Sequence, residues 1–133
     1  MSEVVVRCDQ VTRTYHQELV PVHALQGVDF QVVAGEFVSL SGPSGSGKST
    51  LLNVIGGLDR PDSGEVTVDG VSLSQLSESK LTELRLMKMG FVFQAYNLIP
   101  VLSAYENVEF ILQLQGVALA ERRDRAAHAL ESL

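Results

Sequence analysis

An α/β domain with an antiparallel β-rich flank is the fold class the sequence predicts, and three observations carry it. Gly42-Pro43-Ser44-Gly45-Ser46-Gly47-Lys48-Ser49-Thr50 satisfies the phosphate-binding loop pattern G-x-x-x-x-G-K-[ST] at every fixed position. Phe37-Val38-Ser39-Leu40 ahead of it is short and mostly apolar, as a buried parallel strand is, and Leu51 to Ile55 behind it reads as a helix ended by Gly56-Gly57. Extended segments precede this strand–loop–helix unit, and a hairpin and then helices follow it.

In chain order, Val4-Val5-Val6-Arg7-Cys8 is β-branched and extended, Gln10 to Tyr15 continues it, and His16-Gln17-Glu18 is polar enough for a loop. Val22 to Val33 is a second extended segment, with Leu25, Val28, Phe30 and Val32 at its apolar positions, and Ala34-Gly35 turns the chain toward the loop strand. Leu58-Asp59-Arg60-Pro61-Asp62-Ser63-Gly64 is dense in turn residues. Glu65 to Val68 and Val71 to Leu73, joined by Asp69-Gly70, form a hairpin. Leu81, Leu84 and Met87 recur at helical spacing between Glu78 and Lys88. Gly90-Phe91-Val92-Phe93-Gln94 reads as another short buried strand, followed by an irregular apolar stretch around Pro100. Ser103 and Glu106 make a capping box for a helix that carries Val108, Ile111, Leu112 and Gln115 on one face and ends at Gly116. Leu119 to Leu133 is again helical, with Glu121-Arg122-Arg123-Asp124-Arg125 as its solvated face.

The loop's chemistry follows from its residues. Gly42, Gly45 and Gly47 let the backbone curl where a Cβ would obstruct it. Successive N–H groups then face one concavity at the positive end of the following helix, an anion nest. Lys48 can reach phosphate oxygens as a point charge, and the Ser49 hydroxyl can ligate the Mg²⁺ that accompanies a nucleotide. Thr50 can offer a hydroxyl or N–H to an outer phosphate. Ser44 and Ser46 complete the cradle.

The 133 residues fit one domain at most. Ten basic against 16 acidic residues give a net charge of −6, which argues against a sequence-independent grip on nucleic acid. Cys8 is the single cysteine, so no intrachain disulfide forms; a small buried residue of the first strand is its simplest role, and a reducing cytosol its natural setting. No run approaches the about 20 apolar residues that span a bilayer, and the N-terminus is unlike a signal peptide. A membrane role is therefore expected to come through a partner.

A phosphate-binding loop alone does not choose among kinases, GTPases and transport ATPases. Tyr15 at the end of the first strand region, Gly90-Phe91-Val92-Phe93-Gln94 and the following Asn97 to Val108 do so. With Gly35 to Val38 and Gly57 to Gly64, these segments resemble the nucleotide-binding subunits of ABC transporters. The likeness is to the lipoprotein-release and macrolide-export branch, which includes a cell-division relative. It runs over essentially the whole chain and corresponds to the first half, or a little more, of such a domain.

That resemblance implies a P-loop NTPase fold with a RecA-like core and an N-terminal antiparallel subdomain, incomplete at its C-terminus. Residues 1–133 would be a single partial ATP-binding domain. ATP and Mg²⁺ are the cofactors implied. Tyr15 would stack on adenine, its alternative being an ordinary strand-end tyrosine. Gln94 would be the Q-loop glutamine, reaching Mg²⁺ and the attacking water, and its alternative is a polar strand terminus. Tyr96, Leu98, Ile99 and Leu102 would receive a cytoplasmic helix of a transmembrane permease subunit, or else pack beneath the next helix. Partners would be that permease and a second ATPase copy, and the location the inner face of the cell membrane.

The departures matter as much. The sequence has no LSGGQ-type stretch, no apolar run ending in Asp-Glu, and no switch histidine; His16, His23 and His128 match no such motif and read as surface or loop residues. The expectation is a chain that binds nucleotide weakly and does not hydrolyse it, expected also to be marginally stable and to self-associate through uncovered apolar strand. A nucleotide-dependent scaffold of the cell-division type is the alternative function. A small metabolite kinase would need a lid of phosphate-facing arginines, for which Arg122, Arg123 and Arg125 are poorly placed.

Overall fold

The computed structural model describes residues 3–133, which fall into two compact units that divide between Leu81 and Thr82. The first is built on an antiparallel sheet. Strand β1 (Val4–Gln17) pairs with β2 (Val20–Val33) along nearly its full length, with Cys8 opposite Phe30 and Tyr15 opposite Val22. On its other edge β1 pairs with β3 (Ser63–Val68), which pairs in turn with the short β4 (Val71–Ser72), giving the order β2-β1-β3-β4. Both long strands run past the sequence-based bounds, because His16 and Gln17, read as loop, are paired with Pro21 and Val20.

Irregularities in β1 have local causes. Gln10 sits at φ 48° where the ladder shifts register between Cys8 and Val11. Asp29 holds that bulge by accepting from the Gln10 backbone N–H at 2.8 Å and from the Gln10 side-chain amide. The Asp69-Gly70 turn joins β3 to β4 with both residues at positive φ, as expected for this dipeptide.

Helix α1 (Lys48–Ile55) packs on the sheet, placing Leu51 and Val54 against Cys8, Val11, Leu25 and Val66 in the core. Val68, Leu73 and Leu81 extend that core; Leu73 opens a single 3₁₀ turn and Leu81 lies on α2 (Glu78–Lys88). Cys8 is buried as its composition suggested, and burial, reinforced by the neighbouring Asp9 charge, pushes its thiol up to about 11. It is therefore a packing residue and an unreactive thiol at neutral pH.

The second unit takes in the rest of α2 and the helices α3 (Ala104–Leu114) and α4 (Leu119–Glu131). Leu112 and Ala126 are its buried residues, at the face where α3 and α4 meet. The sequence reading of residues 121–125 as a wholly solvated face is corrected here. The Arg122 guanidinium, half-buried, donates to Glu109 of α3 and to the Val117 carbonyl, so it ties the two helices together.

Two expected strands are also corrected. Phe37–Leu40 and Phe91–Gln94 are irregular, and neither has a ladder partner among the described residues. Phe37 is 97% and Val92 101% exposed. The local pattern was that of a buried strand, but a strand is a property of a pair: without a neighbour its N–H and C=O groups bond to water instead. Met87, expected on the apolar stripe of α2, is also exposed, whereas Leu81 is fully buried. His16, His23 and His128 are all on the surface, in strands and a helix rather than loops. Among the described residues no helix is long and apolar enough to cross a membrane.

Candidate functional site

The candidate site lies wholly within the first unit and is organised by the glycine-rich turn that enters α1. Gly47 caps the helix in the left-handed region (φ 94°), and its carbonyl accepts the first helical hydrogen bond, from Leu51 N–H at 2.9 Å. The turn passes so close to β2 that a Cβ on Gly47 would sit 2.4 Å from the Ala24 carbonyl oxygen. Only glycine satisfies both demands. Gly45 (φ 83°) has the same conformational requirement with open space around it.

Lys48 extends back over the turn that precedes it. Its ammonium donates to the carbonyls of Gly42 (2.6 Å) and Pro43 (2.8 Å) and to Ser46 Oγ (3.1 Å). The positive charge is thus centred on the loop's own concavity, at the helix N-terminus where the backbone dipole adds to it.

Beside the loop is an open cleft of about 510 Å³. It is lined by Ser44, Gly45, Gly47, Lys48, Ser49 and Thr50 of the loop and helix start and by Tyr15, Val22 and Ala24 of the β1–β2 ribbon. Sequence reasoning chose Tyr15 and the loop on separate grounds, and the fold brings them to one cavity. Gly42 and Ser46 lie on the side of the loop that holds the Lys48 ammonium.

Tyr15 is not free on its strand. Its hydroxyl donates to Asp59 Oδ2 at 2.7 Å, and the Arg13 guanidinium lies 4.6 Å above its ring centroid. Arg13 also donates to Asp59 Oδ2 (3.0 Å) and to Asp62 Oδ1 (2.9 Å), while Asp62 Oδ2 accepts the Thr14 backbone N–H at 2.6 Å. Desolvation opposes ionisation of Asp59, but the bonds from Tyr15 and Arg13 outweigh it and hold its carboxyl below the usual range. The Thr14 N–H does the same for Asp62. Sequence reasoning missed Arg13, Asp59 and Asp62. The Asp-Arg-Pro-Asp run was read as turn chemistry and as part of the family likeness, and a signal for its contacts was available in two acidic residues spaced to face an Arg-x-Tyr strand.

Gln94 lies in the second unit, exposed at a bend of the irregular 89–103 segment. The four residues expected at a partner surface divide into two pairs. Tyr96 and Leu98 are 93% and 63% exposed, whereas Ile99 and Leu102 are half-buried. Asn107 accounts for the difference. Its Oδ1 accepts the Ile99 N–H at 2.8 Å, and its amide donates to the carbonyls of Ile99, Leu102 and Ser103. The segment 99–103 is thereby fastened to α3, leaving Tyr96 and Leu98 outward.

Comparison with known proteins gives a consistent result. The ABC transporter family model matches residues 25–133. The solved structure of the ATP-binding cassette MJ0796 bound to ADP and Pi superposes with a TM-score of 0.88 at 46% identity, covering 95% of this chain and 56% of that one. MJ0796 is from Methanocaldococcus jannaschii. The macrolide export ATP-binding/permease protein MacB of Brucella abortus is 45% identical over 128 residues, which are 96% of this chain and 20% of MacB. The lipoprotein-releasing system ATP-binding protein LolD of Legionella pneumophila is 36% identical over 133 residues, all of this chain and 59% of LolD. The chain spans about half the length of the separate ATP-binding relatives it matches.

Proposed function

Because the chain belongs to the ABC transporter family, with the fold of its ATP-binding cassettes, we propose that the cleft beside the phosphate loop is an ATP site. Tyr15 is its base platform; Gly42, Ser44, Gly45, Ser46, Gly47, Lys48, Ser49 and Thr50 are its phosphate cradle. The observation that carries this reading is the sharing of one 510 Å³ cleft by Tyr15 and the loop. Between them they offer what a nucleotide's two ends require, an aromatic face and a concentrated positive charge.

The donor chemistry fits Mg²⁺. A hard cation that keeps several waters and takes phosphate oxygens needs few protein ligands, and Ser49 offers a hydroxyl on the cleft wall. By resemblance to the family's Q-loop, Gln94 would be a further ligand and would position water in the parent protein. When bound, the ion would neutralise charge developing on the transferred phosphoryl group. Lys48 contributes a fixed ammonium at the phosphates, and the glycine turn contributes backbone N–H donors that need no reorganisation.

Residues 1–133 are, on this reading, part of a single ATP-binding domain that carries the base-stacking tyrosine, the phosphate loop and the Q-loop. The protein to which they belong would couple ATP hydrolysis to export or lipoprotein release, working as a pair of ATPase copies on a transmembrane permease at the inner membrane face. Tyr96 and Leu98 would meet the permease, with Ile99 and Leu102 anchoring the loop that presents them. With no LSGGQ-type stretch and no Asp-Glu-terminated strand in its sequence, this chain binds nucleotide weakly and does not turn it over.

Calorimetric titration with MgATP tests the reading. Saturable binding is expected for the 133-residue chain and its loss in Lys48→Ala, with phosphate release from both indistinguishable. Equal affinity in the two proteins would overturn the site assignment, and release above the Lys48→Ala level would overturn the absence of turnover.

A further inference from the structure

We infer that Arg13, Asp59 and Asp62 are positioning residues that hold Tyr15 as a pre-set, one-faced platform for the base. The inference rests on the nucleotide reading of the cleft and extends it to residues outside the cleft lining.

Three constraints act on the tyrosine ring, and each comes from a different atom. The bond from Tyr15 Oη to Asp59 Oδ2 (2.7 Å) fixes the far end of the side chain. The guanidinium 4.6 Å over the ring occupies one π-face and leaves the opposite face for a stacking partner. Asp62 then fixes the guanidinium from its other side while gripping the Thr14 N–H, so the strand backbone at Tyr15 is held by the same carboxylate. A ring restrained in this way has little rotamer freedom left to lose when a base stacks on it.

The source of the two carboxylates matters. Asp59 and Asp62 belong to the turn that leaves α1, whose N-terminus carries the phosphate loop. That turn is fastened at both ends. The Asp59 N–H reaches back to the Asn53 carbonyl at 3.3 Å, and the Asp62 N–H donates to the Thr12 carbonyl at 2.8 Å. The eight-residue helix is therefore a short rigid spacer with the phosphate cradle at one end and the ring's supports at the other. Asp59 thus adds a second fix on the distance between cradle and platform, beside the close approach of Gly47 to Ala24 of the β1–β2 hairpin. Ordinary exposed ion pairs do little. Here the Arg13 and Asp59 side chains are only 24% and 26% exposed, and one carboxylate oxygen receives both the phenol and the guanidinium.

A base-specific readout separates this role from plain structural support. The 133-residue chain and its Asp59→Ala, Asp59→Glu and Tyr15→Phe variants are titrated with MgATP and, separately, with Mg-tripolyphosphate, which lacks a base. Asp59→Ala is expected to weaken MgATP about tenfold and leave tripolyphosphate unchanged, since base stacking on an aromatic ring is worth roughly that much or more. Tyr15→Phe, which keeps the ring and removes only the tied hydroxyl, should give a smaller loss in the same direction, and Asp59→Glu a partial recovery. Equal losses for both ligands, or none for either, would overturn the positioning role while leaving the nucleotide site in place. Should Asp59→Ala fail to fold, Tyr15→Phe decides alone. Equal binding of MgATP and tripolyphosphate by the unaltered chain would remove the base platform altogether, and failure to bind either would remove the nucleotide reading beneath it.

Discussion

A methyl group at position 47 would have to occupy space 2.4 Å from the Ala24 carbonyl oxygen, on a residue whose φ of 94° already disfavours any side chain. The neighbouring obstacle is backbone of β2, which cannot swing aside as a side-chain tip can. Gly47→Ala must therefore push the loop off the strand, which moves the phosphate cradle away from the wall that carries Tyr15. A left-handed non-glycine residue costs of order 1–3 kcal/mol, and the overlap adds to it. The expected outcome is a lower thermal midpoint together with loss of most MgATP affinity. Gly45→Ala serves as the comparison, because it carries the same backbone strain (φ 83°) with no atom within 4 Å of the added carbon. It should lose stability with a smaller loss of binding. Equal effects on affinity would show that the close approach to Ala24 does not shape the site.

At the scale of elements, the capping box at the start of α3 supports a prediction with a pH dependence. Ser103 Oγ accepts the Glu106 N–H at 3.1 Å, and the Glu106 carboxylate accepts the Ser103 N–H at 3.0 Å. The Ser103 backbone bond, the largest influence, lowers the Glu106 carboxyl below its ordinary 4.5. A carboxyl with a depressed folded-state pKa contributes stability that is present above its unfolded value and is lost as the pH falls through the folded one. Ser103→Ala is expected to cost about 1 kcal/mol at pH 7, as other helix N-cap serines do. Glu106→Ala removes the other half of the box, and urea unfolding followed by circular dichroism should show its cost shrinking below pH 4.5, as the unaltered protein loses the carboxylate that accepts the Ser103 N–H. A constant difference across that range would mean that the carboxylate half of the box contributes nothing.

The same helix shows what was legible beforehand. Its cap, its terminating Gly116 at φ 80° and its apolar stripe are encoded within a few residues, and the structure reproduces all three except that Ile111 on the stripe is half exposed. The phosphate-loop turn, the Asp69-Gly70 hairpin and α2 were readable for the same reason. Phe37–Leu40 and Phe91–Gln94 were not, because their apolar composition states a preference for burial without supplying the neighbour that would satisfy it. Asp59 was legible as a turn former and illegible as a support for Tyr15, since its partner lies in a strand far back in the sequence. Arg122 was misread for a parallel reason: charge density marks a solvated face only when no carboxylate on the facing helix claims it.

For the molecule as a whole, the unsatisfied apolar residues predict behaviour in solution. Phe37, Val92, Tyr96 and Val101 are each at least 88% exposed, and Leu98 is 63% exposed. Phe37 and Val92 sit in unpaired segments whose backbone groups remain available for strand addition by another chain. Exposed single apolar residues are normal on a protein surface, but here Phe37 and Val92 fall in the two segments that lack ladder partners, and Tyr96, Leu98 and Val101 follow in the irregular stretch after Gln94. The net charge of −6 opposes association at low ionic strength and is screened over about 10 Å at 0.1 M salt. Self-association should therefore increase with both protein concentration and salt. Sedimentation velocity across a concentration series should show the mean sedimentation coefficient rising, more steeply at 0.5 M than at 0.05 M NaCl, each an order-of-magnitude setting on either side of that screening length. Phe37→Ser with Val92→Ser should flatten the series without altering the sheet signal in circular dichroism, because neither side chain contributes to the core of its unit. A monomer whose sedimentation ignores concentration and salt would show that these bare segments are tolerated by water, and the expectation of association would have to be given up.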